Sequence, residues 1–394
     1  MSVGHGLVER LRAHLPALLA DIEELVTCES PSADLGAVAA SADVVARVGT
    51  RVLGAAPERI VLGGRTHLRW RFGTGARRVL FLGHHDTVWP LGSLTTRPYT
   101  VHNGVMRGPG CFDMKAGVVM AMHAIAALTD ADGVTLLVTG DEELGSPTSR
   151  GLVEQEAAGC VAALVLEASA DGGAVKTQRK GVSLYQVRAH GRAAHAGLEP
   201  HRGVNATVEL AHQVLAVTAL ADPARGTTVT PTLLSAGTTS NTVPAEGGFA
   251  VDVRVPDVEE QRRVEDGMRA LSAVVPGARV EVSGGPNRPP LDARSSARLF
   301  AHASALAVEL GLPPLASAAV GGGSDGNFTA GIGIPTLDGL GAVGGGAHAE
   351  DEHVLVDALP GRTALLVALA GDLLAGVHRS ASTNQPTGSG TRRP

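Results

Sequence analysis

The stretch Val79–Val88, VLFLGHHDTV, is a short apolar run that stops at Gly83 and hands the chain on to two imidazoles and a carboxylate. Four apolar residues closed by a glycine, Val79–Leu82, read as a buried strand. Val134–Thr139 and Val161–Leu166 repeat the pattern, and the apolar segment Ala116–Leu128 between them reads as a helix. Strands alternating with helices predict an α/β fold, with a mostly parallel sheet flanked by helices. Such sheets bind ligands beyond the carboxyl ends of their strands. The polar residues that follow these three runs therefore stand where chemistry is expected.

Upstream, Leu7–Val26 has helical spacing and reads as one amphipathic helix. Downstream, the texture changes near Lys180. Val182–Ala189 alternates like a half-exposed strand, and Asn205–Leu220 reads as a helix. Val229–Ser235 and Phe249–Val255 (FAVDVRV, period two) read as strands, Pro256–Val274 as a helix and Arg279–Val282 as an edge strand. This α+β pattern marks residues 180–290 as an inserted domain. It divides the α/β domain into a first part, 1–179, and a second part, 291–378, with helices at Ser295–Leu310 and Ala358–Val377. Residues 379–394, RSASTNQPTGSGTRRP, are polar without periodicity and predict a disordered tail.

The chain has 394 residues, 44% of them hydrophobic, enough to bury a sizeable core in roughly two domains. Net charge is −6 and aromatic residues make up 3%, so neither a phosphate-neutralising surface nor a base-stacking platform is expected, and nucleic acid is excluded as a partner. Cys28, Cys111 and Cys160 are sparse and odd in number, which argues for a reducing compartment rather than a disulfide framework. Charges interrupt the N-terminal segment throughout, unlike a secretory signal. No window of about 18 uncharged apolar residues is present, so no membrane span is expected. Together these features point to the cytoplasm.

Each strand end carries a candidate. In an extended segment residues i and i+2 face the same way, so His84 and Asp86 act together, while His85 turns away and reads as structural. A metal-bound imidazole gives its other N–H to a carboxylate, which suits His84 as ligand and Asp86 as its orienting partner; a polar strand end is the plainer reading. Gly108–Gly117, GPGCFDMKAG, delivers Asp113 just ahead of a helix, where it can bridge two cations or simply cap the helix. Thr139–Ser146, TGDEELGS, sets three acids in a row behind an apolar strand. They repel one another unless a cation or solvent takes up the charge. One glutamate can bind metal while its neighbour takes a proton from the attacking water. Glu167 closes the apolar VAALVLE, where a lone carboxylate needs a partner or a metal. Gly344–Glu352, GGGAHAEDE, presents His348 on a glycine run, or forms an acidic patch. Two histidines and three carboxylates gathered from these segments make a mixed nitrogen–oxygen donor set. It suits zinc, or cobalt or manganese in its place, and with one shared carboxylate it suits two ions about 3.5–4 Å apart.

In this order, the five segments resemble the dinuclear zinc exopeptidases of the glutamate carboxypeptidase, acetylornithine deacetylase and succinyl-diaminopimelate desuccinylase type. HHDTV is similar to that family's H-x-D-T-V, GPGCFDMKAG to its G-x-G-x-x-D-x-K-x-G, and DEELGS to its D-E-E-x-G-S. The resemblance covers almost the whole chain except the tail. It implies a catalytic domain with an inserted lid or dimerisation domain. It implies two Zn2+ held by His84, Asp113, Glu143, Glu167 and His348, with Asp113 bridging, Glu142 as general base and Asp86 orienting His84. It also implies a cis peptide at Asp113–Met114. Gly191–Gly197 (GRAAHAG), with Pro200, Gly203 and Asn205-Ala206, resembles the family's G-x-x-x-H-A-G-x-x-P-x-x-G-x-N-A. In relatives that histidine, here His195, reaches the partner subunit's active site and stabilises the oxyanion, which implies a homodimer. Thr239–Pro244 (TSNTVP) resembles the segment whose Asn, here Asn241, contacts substrate. Arg288 in GGPNRPPL falls where relatives grip a substrate carboxylate.

DTVWPLGSL, GPGCFDMKAG and a glutamate at position 167 resemble the glutamate carboxypeptidase branch most. The expected function is therefore zinc-dependent hydrolysis of an amide bond that releases a C-terminal amino acid from a small peptide. An N-acyl-amino-acid amidohydrolase or deacetylase is the alternative. A non-catalytic binding protein of the same fold is disfavoured, because ligands and base are all present. GGGSDG at Gly321–Gly326 superficially suggests a phosphate loop, but no lysine follows it.

Overall fold

A computed structural model describes residues 3–382, with side chains described for residues 6–376. Chain contacts divide it into two compact units. One comprises the residues up to Thr177, Arg294–Ala318 and the residues from Ile332; the other comprises Gln178–Ala293 and Ala319–Gly331.

The first unit opens with α1 (Val3–Ala13) and α2 (Leu15–Val26), not with one continuous helix. Pro16 lies in the first turn of α2 and has no N–H to give to the preceding turn, so the chain restarts there with His14 at the N-cap. Then follow α3 (Leu35–Leu53), β1 (Glu58–Leu62), β2 (Arg65–Arg71), β3 (Val79–His84), α4 (Ala116–Ala126), β4 (Val134–Thr139), α5 (Arg150–Ala157) and β5 (Ala162–Val165). With the short strand Thr336–Leu337 the five strands form one sheet in the order β1-β2-β4-β3-β5-(336–337). β3 runs parallel to both β4 and β5, and Thr336–Leu337 runs parallel to β5. β1 and β2 complete the sheet antiparallel.

Every residue of β3, β4 and β5 is buried, as continuous apolar runs require when both faces of a sheet are covered. On these strands Phe81, Leu136, Val138 and Leu164 share a core with Val118 and Ile125 of α4, Ile22 and Leu25 of α2, and Leu366 and Leu369 of the long helix Leu359–Ser382. Gly117 lets α4 begin against the backbone beyond β5, since a Cβ there would stand 2.1 Å from the Leu166 carbonyl oxygen.

The long helix corrects the expected tail. It runs through 379–382, the first residues of the expected tail, and 383–394 lie outside the described residues. By length and composition alone, Val356–Gly376, which includes most of this helix and carries Arg362 and Asp372, is long and apolar enough to cross a membrane. Of its most apolar window, 56% is buried, and the helix packs on α1 and α4.

A second, antiparallel ribbon belongs to the same unit: Thr100–His102, Val105–Arg107, His353–Leu355 and Gly344–Gly345. It pairs His353 with Arg107 and so lays the chain after position 107 beside the chain before position 353.

The other unit is an antiparallel sheet of β6 (Gly181–His190), β7 (Thr228–Ala236), β8 (Glu246–Val255) and β9 (Arg279–Arg288), in the order β7-β8-β6-β9. Alternate residues of β6 and β8 are buried. Val187, Phe249, Val251 and Val253 pack against Leu210 and Val217 of α6 (Ala206–Thr218) and Val264 and Met268 of α7 (Val258–Arg269). Side chains cap both helices: Asn205 accepts from the N–H groups of Thr207 and Val208, and Asp257 from that of Glu260. The edge strand expected over 279–282 continues to Arg288. This unit also takes in 319–331, which sequence patterning assigns to the other domain. Asn327 Nδ2 donates to the Lys180 and Pro289 carbonyls and Arg288 pairs with Asp325, contacts that leave no trace in hydrophobic periodicity.

Candidate metal centre

The parallel register lines up three strand ends: His84 of β3 stands opposite Thr139 of β4, and Leu82 opposite Val165 of β5. His84–Asp86, Asp141–Glu143 and Glu167 thus leave the sheet side by side. The ribbon contributes Asp113, from the turn after Val105–Arg107, and His348, from the loop before His353–Leu355. That loop carries His348 at φ +62°, a left-handed conformation uncommon outside glycine and characteristic of functional sites.

These side chains converge. His84 Nε2 lies 3.4 Å from Asp113 Oδ1 and 3.7 Å from Glu167 Oε1. His348 Nε2 lies 3.3 Å from Asp113 Oδ2 and 3.2 Å from Glu143 Oε2. Asp113 therefore turns one oxygen to each imidazole. Two donors about 2.0–2.1 Å from one tetrahedral zinc stand roughly 3.4 Å apart, so these separations suit shared ligation. His84 Nε2, Asp113 Oδ1 and Glu143 Oε1 are buried and make no hydrogen bond. Buried polar atoms are normally paired, and donor atoms of these three residues lie within 4.8 Å of one another. Donor atoms of His84, Glu142 and Glu167 form a second such group. The residues present fit a metal cage.

The field at this point favours positive charge. Asp113 and Glu143 push the His348 imidazole up to about 10. Burial pulls His84 down, but Asp113, Asp86 and Glu167 prevail and hold it well above its ordinary value. Burial raises the Glu143 carboxyl, whereas the two histidines keep Asp113 far below the usual carboxylate range against its own burial. The same field attracts a divalent cation, whose binding displaces the imidazole protons.

For two of these motifs the plainer reading does not describe the geometry. Asp113 does not cap α4, whose N-cap is Lys115 with no side-chain cap bond. The three consecutive acids part company: Asp141 accepts from Thr148 N, Thr148 Oγ1 and Ser149 Oγ at 2.7, 2.6 and 2.5 Å, which leaves Glu142 and Glu143 to the site. The Asp113–Met114 peptide is cis. His84 Nδ1 lies 3.0 Å from the Asp86 backbone oxygen and 3.5 Å from its Oδ1. The Asp86 carboxylate also accepts from the N–H groups of Glu142 and Glu143, each at 3.2 Å, and from Ser32 Oγ at 2.6 Å. One carboxylate thus orients a histidine and the backbone of both glutamates. His85 faces away, 3.2 Å from Ser41 Oγ and 3.0 Å from the Thr66 oxygen, and burial pushes it down to about 4.

Sequence reasoning misses three neighbours. Ser32 holds Asp86, and Lys176 Nζ lies 3.7 Å from Glu167 Oε2. Glu352 is buried beneath the Asp113 turn. It accepts from the N–H groups of Phe112 (2.9 Å), Asp113 (3.1 Å) and Gly110 (3.0 Å) and from Trp89 Nε1 (2.7 Å). For Glu352 a signal existed, since it is the last acid of GGGAHAEDE; Ser32 and Lys176 carry none.

In the other unit His195 and Asn241 come together, because Ala194–His195 pairs with Thr242–Val243 and Ala196 N donates to the Asn241 oxygen at 2.9 Å. His195 Nδ1 accepts from the N–H groups of Gly197 and Leu198, each at 3.1 Å, so the ring proton sits on Nε2. Arg288 is buried, with Nη2 3.2 Å from Asp325 Oδ1 and Nε donating to the Ser324 oxygen.

Residues 80–372 match peptidase family M20/M25/M40. Carboxypeptidase G2 from Pseudomonas sp. (strain RS-16) is 30% identical over 92% of this chain and 90% of its own length. A succinyl-diaminopimelate desuccinylase from Methylorubrum extorquens (strain PA1) is 30% identical over 89% of this chain and 97% of its own. An M20 family metallo-carboxypeptidase from Sulfolobus solfataricus, Sso-CP2, shares the fold at a TM-score of 0.71 and 16% identity, covering 90% of this chain and 99% of that one. A carboxylate facing two imidazoles and a match across most of the sequence lead to one assignment: the chain belongs to peptidase family M20/M25/M40 and is a hydrolase of amide bonds.

Proposed function

We propose that the chain is a zinc-dependent metallo-carboxypeptidase that releases a C-terminal amino acid, glutamate or a residue like it, from a small peptide. The observation that carries this reading is Asp113, whose two oxygens each face a different histidine. His84, Glu167 and Asp113 Oδ1 would hold one ion, and His348, Glu143 and Asp113 Oδ2 the other. A zinc pair, or cobalt or manganese in its place, supplies a Lewis acid for the scissile carbonyl and makes water acidic enough to attack near neutral pH.

Glu142, buried beside His84 and Glu167, takes the proton of the attacking water and returns it to the leaving amine. Asp86 keeps His84 and the Glu142–Glu143 backbone in register. His195, with its proton on Nε2, donates to the developing oxyanion, and Asn241 beside it contacts the substrate. Arg288 grips the substrate carboxylate, in competition with Asp325. The second unit pairs two copies of the chain, so that His195 serves the neighbouring site; the exposed Leu215, Leu233 and Leu234 on that unit support a homodimer. Three free cysteines support a cytoplasmic setting.

The desuccinylase match along nearly its full length favours a second reading, an N-acyl-amino-acid amidohydrolase. Zinc- or cobalt-loaded protein assayed on dipeptides ending in glutamate and on N-acetyl and N-succinyl amino acids separates the two. Higher kcat/KM on the peptides is the expected result, the reverse order establishes the alternative, and no hydrolysis of any substrate by folded, metal-loaded protein overturns both.

A further inference from the structure

The turn that delivers Asp113 is held from behind by a single side chain. Gly110 is left-handed at φ +72° and Asp113 is extended at φ −115°, ψ 95°. In this conformation the N–H groups of Gly110, Phe112 and Asp113 all point at the Glu352 carboxylate, and Trp89 Nε1 adds a fourth donor. Oε1 takes two of these bonds and Oε2 the other two. Converging backbone N–H groups form an anion-binding hollow, and here the protein fills it with its own carboxylate.

Four donors require an ionised acceptor, because a protonated carboxyl would set its own O–H against an N–H. Glu352 is 4% exposed; burial raises its carboxyl, and the four donors pull it the other way. It also stands four residues after His348 and directly before the strand His353–Leu355 that pairs with Val105–Arg107. One side chain thereby ties together the two loops that present Asp113 and His348.

We propose that Glu352 is a positioning residue for the metal-bridging carboxylate. By fixing the Gly110–Asp113 backbone it holds Asp113 with one oxygen toward His84 and the other toward His348. It touches neither substrate nor metal. The inference rests on the metal reading of the site given above. If Glu352 only filled space, an isosteric amide would serve as well. As a positioning residue it tolerates no amide, because the NH2 of glutamine would face N–H donors on one side of the hollow.

Glu352→Gln and Glu352→Asp, each in the full chain, test this. Metal-free protein is titrated with Co2+ alone and followed by visible absorption and calorimetry, with melting and steady-state kinetics in parallel. Glu352→Gln is expected to weaken Co2+ binding about 10- to 100-fold, alter the Co2+ spectrum and lower kcat with little change in KM. Glu352→Asp keeps the charge but reaches fewer donors and should fall between wild type and Glu352→Gln. Wild-type Co2+ affinity and spectrum in a folded Glu352→Gln overturn the proposal. If that variant does not fold, Glu352→Asp decides, and wild-type affinity there overturns it equally. Wild-type protein that takes up no Co2+ would instead refute the metal reading itself, so the two failures are distinct.

Discussion

Glu142 and Glu143 leave the same strand end and are adjacent in sequence, yet the proposed function gives them different work. Glu143 Oε2 stands 3.2 Å from His348, in a ligand's position, whereas Glu142 lies with His84 and Glu167. Glu142→Gln removes the proposed base and leaves every proposed ligand. The variant is expected to retain its metal by elemental analysis and to lose roughly 10²–10⁴-fold in kcat; full activity would refute the assignment of the base. At this scale most of the site is legible in the sequence, because a histidine or acid directly after a buried strand has few structural reasons to be there. Asp86 is legible as a partner of His84 but not as the acceptor for the Glu142 and Glu143 backbone, since those bonds depend on how a 56-residue excursion returns. Ser32 is invisible for the same reason.

At the scale of elements, periodicity locates the strands and helices and side-chain chemistry sets their limits. Val134–Thr139 is found to the residue because both its faces are buried and both its ends are punctuated. Leu7–Val26 splits because Pro16 outweighs a continuous apolar stripe. Segment 319–331 changes unit through Asn327 and Asp325, polar contacts that no pattern announces. One such polar cluster makes stability pH-dependent. Glu260, in the first turn of α7, is buried against Arg263, Arg225 and Thr227, and Arg263 above all brings its carboxyl down to about 2. Because the folded value lies below the ordinary 4.5, the stabilisation is complete above pH 4.5 and disappears as the pH falls toward 2. Denaturant titrations should show Glu260→Gln about 2 kcal/mol less stable than wild type at pH 7. The gap should narrow between pH 4.5 and 2; a gap of constant size across that range contradicts the account.

Over the whole molecule, the sheet, the ribbon and the match along residues 80–372 agree on one architecture, and its cost is concentrated in one place. Asp113, Glu143 and Glu167 are brought together with Glu142 around two imidazoles, a gathering of like charge that cations relieve. Metal binding and folding are therefore linked, and at a metal concentration 100 times Kd the gain is about 2.7 kcal/mol. Chelator-stripped protein should melt several degrees below metal-loaded protein, and coincident melting curves would show that the cluster does not depend on cations. The most direct test counts the ions themselves. Elemental analysis of wild type and Asp113→Ala, after equilibration with zinc and removal of the excess, should find about two ions per wild-type chain and at least one fewer in the variant. Folded wild-type protein that retains none, or Asp113→Ala that retains the full complement, contradicts a cage built around a shared carboxylate.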